Sequence, residues 1–128
     1  MNGQRRVDVQ QWADIAVERG ADAAHLRTGS RELAVVYMLG YVVEAYAKAL
    51  SHARGVAPAK IHDVILLLEG CGIRRQDLPP DLRAFAEERS VEMRYDAALR
   101  GDYASLVNQA TRLAKWLRIR VNRTIERR

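Results

Sequence analysis

The chain has 128 residues, a single cysteine and a formal net charge of +5 at pH 7. This length predicts one domain, residues 1-128, that can bury an apolar core without disulfides. Because Cys71 has no second cysteine to pair with and the opening residues MNGQRRVDVQQW lack an apolar signal segment, we expect a cytoplasmic protein. The longest apolar run is shorter than the roughly 20 residues that cross a bilayer, so we expect no membrane segment.

The whole chain reads as helical, because no stretch alternates apolar and polar residues in the manner of a strand. We therefore predict an all-α fold, an up-and-down bundle of about five helices. In the first helix, Asp8 is the expected N-cap and the Thr28-Gly29-Ser30 cluster the expected end. The residues expected to face the core are Trp12, Ile15, Ala16, Ala23 and Leu26.

A second helix, capped by Ser30 and ending near Arg54-Gly55, contains the apolar run LAVVYMLGYVV. Its apolar residues recur at three-four spacing, which predicts a seam for antiparallel partners. Glu44 and Lys48 interrupt this apolar segment one helical turn apart, in line with Tyr37 and Tyr41.

Two interpretations of Glu44 and Lys48 are open. They could form a surface salt bridge worth about 0.3 to 0.5 kcal/mol. Alternatively, neighbouring helices enclose the pair, which then lines a cleft or a subunit interface where a ligand or partner satisfies the charges.

A third helix is predicted to open at Pro58 and to end at Gly70, with His62 and Asp63 near its start. Asp63 is favoured there by the helix dipole and could orient the neighbouring histidine, although a histidine at a helix start is more often structural. Pro79-Pro80 with Asp81 begins a fourth helix, followed by a link containing MRYD. Arg94 and Tyr95 lie in this link, where we expect them to hold a partner element or a ligand.

Asp102 is the expected N-cap of the last helix, which we expect to form the long antiparallel core of the bundle together with the second. Its predicted core line is Leu106, Ala110, Leu113, Leu117 and Val121. The segment from residue 112 onward holds seven basic residues against Glu126 alone. Electrostatic attraction for RNA is therefore expected from this basic helix through Arg112, Lys115, Arg118 and Arg123, although such residues also complement a helix dipole.

Signatures of common catalytic sites are absent from the sequence. There is no HExxH motif, no pair of cysteines for zinc, no glycine-rich phosphate loop and no serine in a nucleophile elbow. We therefore predict neither a metal site nor a bound cofactor.

The order of features resembles the HEPN superfamily, small helical domains of prokaryotic defence, toxin and nucleotidyltransferase-associated proteins. The residues that carry the resemblance are Trp12 in the first helix, VVEAYAKAL in the second, HDV followed by LL, MRYD, and a final helix. The resemblance, which covers roughly residues 12 to 121, implies a homodimer with the second helix near the interface. It also places Glu44, Lys48, His62, Asp63, Arg94 and Tyr95 on the family's recurrent polar positions.

One departure from the family bears on catalysis. The resemblance implies that ribonuclease members carry an arginine followed four to six residues later by a histidine, usually in the last helix. Here the last helix has six arginines and no histidine. Arg19 and His25 match that spacing, but they lie in the first helix. One match at this spacing somewhere in the chain is expected by chance.

Two functions are consistent with this pattern. The first is a dimeric, non-catalytic module that binds a nucleotide, an RNA, or a separately encoded partner such as a nucleotidyltransferase or an antitoxin. The second is a metal-independent ribonuclease toxin with an atypical site, in which Arg19 with His25, or His62 with Arg94, supplies acid-base chemistry. A third interpretation is a helical bundle unrelated to HEPN with a purely structural role.

Overall fold

The computed structural model of the protein describes residues 3–28, 32–89 and 102–127. These ranges contain five α-helices, a short 3-10 helix (Arg75–Asp77) and no strand, which confirms the predicted all-α bundle. The α-helices are α1 (Gly3–Thr28), α2 (Glu32–Ala53), α3 (Val64–Gly70), α4 (Pro80–Arg89) and α5 (Tyr103–Glu126). Ser30, the predicted cap of α2, lies outside the described residues.

The first helix begins earlier than predicted. Asp8 is not its N-cap, because α1 starts at Gly3 and Asp8 lies within it. Glutamine and arginine are good helix formers, so Gln4, Arg5 and Arg6 extend the helix toward the N-terminus. The carboxylate of Asp8 accepts a hydrogen bond from the Gln4 side chain at 3.0 Å and lies 3.7 Å from Nδ1 of His52.

The α1 and α2 helices run antiparallel and form the larger part of the core. Contacts between the first turns of α1 and the end of α2, such as that of Asp8 with His52, fix this direction. Every residue of α2 from Val42 to Ser51 is buried, because α1, α3 and α5 all pack on this helix. The central position predicted for the second helix is therefore confirmed.

The relation of α2 to α5 differs from the prediction. Burial and the nearby charges of Arg123 and Arg54 lower the pKa of Arg120 near the end of α5. Because Arg54 directly follows α2, its proximity to Arg120 indicates that the two helices run in the same direction rather than antiparallel. The three long helices are similar in length, with 26 residues in α1, 22 in α2 and 24 in α5.

The third helix begins later than predicted. Pro58 does not open it, because α3 starts at Val64 and Asp63 is its N-cap. The Asp63 carboxylate accepts a hydrogen bond from the backbone N–H of Leu66 at 3.2 Å. An aspartate cap satisfies one otherwise unpaired N–H group, which Pro58 at the first position of a helix cannot do.

The last two helices begin where the sequence predicts. Pro80 opens α4, and Asp102 caps α5 by accepting a hydrogen bond from the backbone N–H of Ser105 at 2.9 Å. That hydrogen bond lowers the pKa of Asp102. All five residues of the predicted core line of α5 are buried: Leu106, Ala110, Leu113, Leu117 and Val121.

The α2 helix is long and apolar enough, by length and composition, to cross a membrane, contrary to the expectation from its apolar run alone. Of the 18 consecutive residues that are most apolar, 67% are buried inside the bundle. Core helices of soluble proteins can be equally long and apolar, so this single helix is weak support for a membrane segment.

We expect Val43→Asp to abolish folding or to lower the free energy of unfolding by several kcal/mol. Val43 is 0% exposed, so an aspartate there would be an unpaired charge in the centre of the core. Leu66→Asp is the control, because Leu66 is 53% exposed and lies outside the core. Urea unfolding followed by circular dichroism measures both, and equal stability of the two variants would contradict the predicted core.

Candidate functional site

A buried charged pair lies in the middle of α2. The side chains of Glu44 and Lys48 are 7% and 10% exposed, and Lys48 Nζ lies 3.3 Å from Glu44 Oε2. The interpretation as a surface salt bridge is therefore wrong. The burial agrees with the enclosed alternative, whereas a role of the pair toward a ligand or an interface stays a prediction.

The Glu44 carboxylate has a second partner, His62, from the segment that precedes α3. Nδ1 of His62 lies 3.0 Å from Oε1 and 3.1 Å from Oε2 of Glu44. An ionised carboxylate only accepts hydrogen bonds, so Nδ1 is the donor and Nε2 is left to face away from the pair. The His62 side chain is 49% exposed, which places the imidazole at the border between the buried pair and solvent.

Aromatic rings cover the charged pair on two sides. Lys48 Nζ lies 4.7 Å from the ring centroid of Trp12 on α1, within the range of a cation–π contact. Tyr41 packs edge-on to His62 with centroids 6.4 Å apart. Its hydroxyl donates a hydrogen bond to the Tyr37 hydroxyl at 3.2 Å, so one row of rings follows α2 away from the carboxylate.

A cavity of about 170 Å³ lies between α1 and α2 beside this cluster. We call it the Glu44 cavity; its lining residues are Trp12, Ile15, Arg19, Met38, Tyr41, Glu44 and Ala45. Nε of Arg19 is buried without a hydrogen bond, although it forms an ion pair with Asp22 Oδ2 at 3.0 Å. The cavity thus combines aromatic walls, a carboxylate and a guanidinium group that retains hydrogen-bonding capacity.

The structure separates the other predicted acid-base residues. Asp63 does not orient His62, because its carboxylate caps α3 and Glu44 contacts the histidine instead. Arg19 and His25 lie six residues apart on α1, which turns them about 120° from each other around a helix of 3.6 residues per turn. Arg94 and Tyr95 lie outside the described residues.

The basic helix lies away from the Glu44 cavity. Arg112, Lys115, Arg118 and Arg123 are all exposed on α5, and Arg112 pairs with Asp81 of α4. A shallow groove between α1 and α5, over α2, is lined by Lys115 and Arg118 but by no residue of the Glu44 cavity. The basic groove and the Glu44 cavity are therefore separate surfaces of the described structure.

Neither a metal site nor a thiol nucleophile is found among the described ranges. No group of three or more metal-binding side chains occurs in them. Cys71 is buried, and this burial raises the pKa of its thiol, which disfavours the reactive thiolate.

Sequence reasoning missed the contribution of α1 to the site. Trp12 was predicted as a core residue and Arg19 only as half of a spacing motif, yet both line the Glu44 cavity. Their spacing of seven residues, two helical turns, is the signal that could have placed them on one face. Sequence alone could not show that this face meets Glu44.

The chain is similar to proteins of one family. Residues 9–120 match the HEPN domain. The fold is similar to the crystal structure of ST0689, an archaeal HEPN homologue, with a TM-score of 0.67 and 19% sequence identity over 88% of this chain and 97% of that chain. A comparison with curated proteins finds no significant match.

Removal of one member of the buried pair should cost far more stability than removal of both. We expect Glu44→Ala to lower the free energy of unfolding by about 3 to 5 kcal/mol, because it leaves the Lys48 ammonium group buried and unpaired. The double variant Glu44→Leu with Lys48→Met should be nearly neutral, because it removes both charges and keeps the volume. Urea unfolding measures the free energy of unfolding of each variant. A double variant that is no more stable than Glu44→Ala would contradict the coupling between the two charges.

Proposed function

The chain belongs to the HEPN domain family, and from that premise we propose that it is a dimeric, non-catalytic member that binds a nucleotide in the Glu44 cavity. The observation that carries this proposal is the Glu44 carboxylate, held by Lys48 and His62 in the wall of an aromatic cavity. The comparisons supply the family and the fold, whereas the ligand follows from the chemistry of the cavity.

The burial of Glu44 and Lys48 costs free energy of folding, and a role in ligand binding would explain why the pair is present. Desolvation of two charges is often not repaid by their attraction, and apolar residues of the same size would fold the helix at least as well. Glu44 lines the cavity in addition to pairing with Lys48, so its carboxylate also faces the space a ligand would fill. Buried polar groups that converge on an apolar pocket are the usual mark of a ligand site.

The three kinds of group in the cavity correspond to the parts of a nucleotide. Trp12 and Tyr41 offer rings against which a base can stack, a contact worth about 1 to 3 kcal/mol per base. The Glu44 carboxylate accepts hydrogen bonds from a ring N–H or an amino group. Arg19 supplies a guanidinium group suited to a phosphate.

A titration of tryptophan fluorescence tests this binding, because Trp12 and Trp116 are the two tryptophans of the chain. In the variant Trp116→Phe, the remaining signal comes from Trp12 in the cavity. We expect saturable quenching by a nucleoside monophosphate, with weaker binding after Arg19→Gln and unchanged binding after Arg118→Gln, an arginine outside the cavity. Absence of saturable quenching would remove the nucleotide from the cavity.

Dimerisation is proposed from the apolar surface of α1. Val7 and Val17 are 59% and 63% exposed, and Val7 and Ile15 line a broad surface depression together with polar and charged residues. Contiguous exposed apolar surface marks protein contacts. We expect light scattering at micromolar concentration to give about twice the chain mass of 14.5 kDa, and a mass that stays at the monomer value through a concentration series would contradict the dimer.

One observation favours a second candidate, a metal-independent ribonuclease. Glu44 contacts His62 and lines the cavity that Arg19 also lines, so a base and a cation both lie beside elements of this site. The Tyr41 ring stands between the cavity and His62, which favours binding over proton transfer.

Incubation with labelled RNA in the presence of a chelator separates the two candidates. The non-catalytic proposal predicts intact RNA. Cleavage that is lost in the double variant His25→Ala with His62→Ala would establish the ribonuclease instead. Cleavage that persists in that variant would be attributed to a contaminating nuclease.

A further inference from the structure

The basic groove between α1 and α5 lies over an apolar strip of α2. Both helices pack on α2 but make few contacts with each other, so a channel is left between them. The channel has a volume of about 300 Å³, and its floor is formed by Leu39, Val42 and Tyr46. These three residues span two turns of α2, about 10 Å at 1.5 Å per residue. The floor is therefore as long as two turns of a helix docked along it.

Small residues in the walls keep the basic groove open. Ala16 and Gly20 line it from α1, and Ala114 lines it from α5. A Cβ placed on Gly20 would meet no atom within 4 Å, so the space beside this residue is unfilled. Val17 lines the same wall and is 63% exposed. The walls thus present apolar surface and leave room for an apolar side chain from outside.

The α5 side of the basic groove carries two uncompensated positive charges. Lys115 and Arg118 line it three residues apart, and both are exposed. Among the described residues no carboxylate lines the groove, and neither cation forms an ion pair there, whereas Arg112 on the same helix pairs with Asp81. The groove therefore combines an apolar floor with one positively charged edge.

This combination favours an amphipathic helix over a nucleic acid strand. Single-stranded nucleic acids bind on exposed aromatic rings, and the ring of Tyr46, which is 9% exposed, is the one aromatic ring in the described lining. An amphipathic helix instead places side chains at positions i, i+4 and i+7 into an apolar groove. Those positions span two helical turns, the length of the floor.

We propose that the basic groove docks an amphipathic helix of a partner protein, with apolar side chains on the floor and acidic side chains toward Lys115 and Arg118. Complementary charges at the edge of an interface determine its register and its choice of partner. The groove shares no residue with the Glu44 cavity, so this proposal does not rest on the nucleotide proposed there.

Selection from a displayed library of helical peptides provides the first test. Peptides of about 18 residues, roughly 27 Å as a helix, are long enough to cover the groove. Selection on the unmodified chain, with removal of peptides that also bind the Gly20→Phe variant, should enrich sequences with apolar residues at i, i+4 and i+7 and aspartate or glutamate beside them. No enrichment, or enrichment of peptides without acidic residues, would overturn the proposal.

Two substitutions of Gly20 separate occupation of the groove from general effects on α1. Gly20→Phe fills the groove without changing its charge, and Gly20→Ala leaves it open. We expect fluorescence anisotropy with a labelled, selected peptide to show binding weakened about tenfold or more by Gly20→Phe and changed by less than about twofold by Gly20→Ala. Thermal unfolding verifies that both variants are folded. Equal binding by the two variants would contradict docking in the groove.

A matched pair of charge reversals tests the acidic side chains. Lys115→Glu with Arg118→Glu reverses the charge of the groove edge, and Arg123→Glu with Arg127→Glu reverses the same charge at exposed positions near the end of the chain. We expect the first pair to weaken peptide binding about tenfold or more and the second to change it by less than about twofold. A peptide whose acidic residues are replaced by lysine should bind the first variant more tightly than the unmodified chain. Equal weakening by both pairs, or no recovery with the lysine peptide, would overturn the proposal.

Light scattering distinguishes a partner protein from a second copy of this chain. We expect Gly20→Phe and the unmodified chain to have the same mass through a concentration series, because a helix of a different protein occupies the groove. A lower mass for Gly20→Phe would assign the groove to a second copy and overturn the proposal. Nucleotide quenching of Trp12 should be unchanged in Gly20→Phe, since the Glu44 cavity is a separate surface.

Discussion

The burial of the Glu44 carboxylate is the constraint on which the arrangement of this protein depends. The Glu44 side chain is 7% exposed, so its carboxylate has lost most of its hydration and requires polar partners within the protein. These partners are Lys48, one turn along the same helix, and His62, from the segment before α3. The lysine is covered in turn by Trp12 of α1. One charge therefore connects three stretches of the chain that are distant in sequence, and it does so at the edge of a cavity.

The direction of the helices determines which residues can act together. Because α2 and α5 run in the same direction, the basic end of α5 lies beside the end of α2, whereas the Glu44 cavity opens between α1 and α2. The cavity and the basic end of α5 thus belong to different parts of the bundle. Trp12 lines the cavity and Trp116 contacts Arg120 on α5, so the two regions can be observed separately.

Membership of the HEPN family explains the bundle but not the chemistry of these sites. The archaeal homologue shares the fold at 19% identity, a level at which side-chain function does not transfer. The chemistry of the site in this chain rests on the contact of His62 with Glu44 and on the position of Arg19 in the cavity. These contacts bear on the choice between a binding module and a ribonuclease, because His62 supplies the base that the last helix lacks.

The sequence by itself determined the helical class, the central place of α2, the core line of α5, the start of α4 at Pro80 and the cap of α5 at Asp102. These features follow from apolar periodicity and from local capping chemistry, which act over a few residues. The predicted starts of α1 and α3 were wrong because other residues nearby can also begin or extend a helix. Gln4 and Arg6 extend α1 toward the N-terminus, and Asp63 rather than Pro58 marks the start of α3. Sequence also identified Glu44, Lys48 and His62 as conspicuous, since charges in an apolar helix and a histidine at a helix start are visible without a structure.

Only the tertiary structure decided that these three side chains meet and that Trp12 and Arg19 lie beside them. Each of these contacts joins residues that are far apart in the chain. Periodicity assigns a residue to a face of its helix but does not specify which helix that face meets or in which direction the partner runs. The packing of the whole bundle sets both, and so the site emerges only once the helices are assembled.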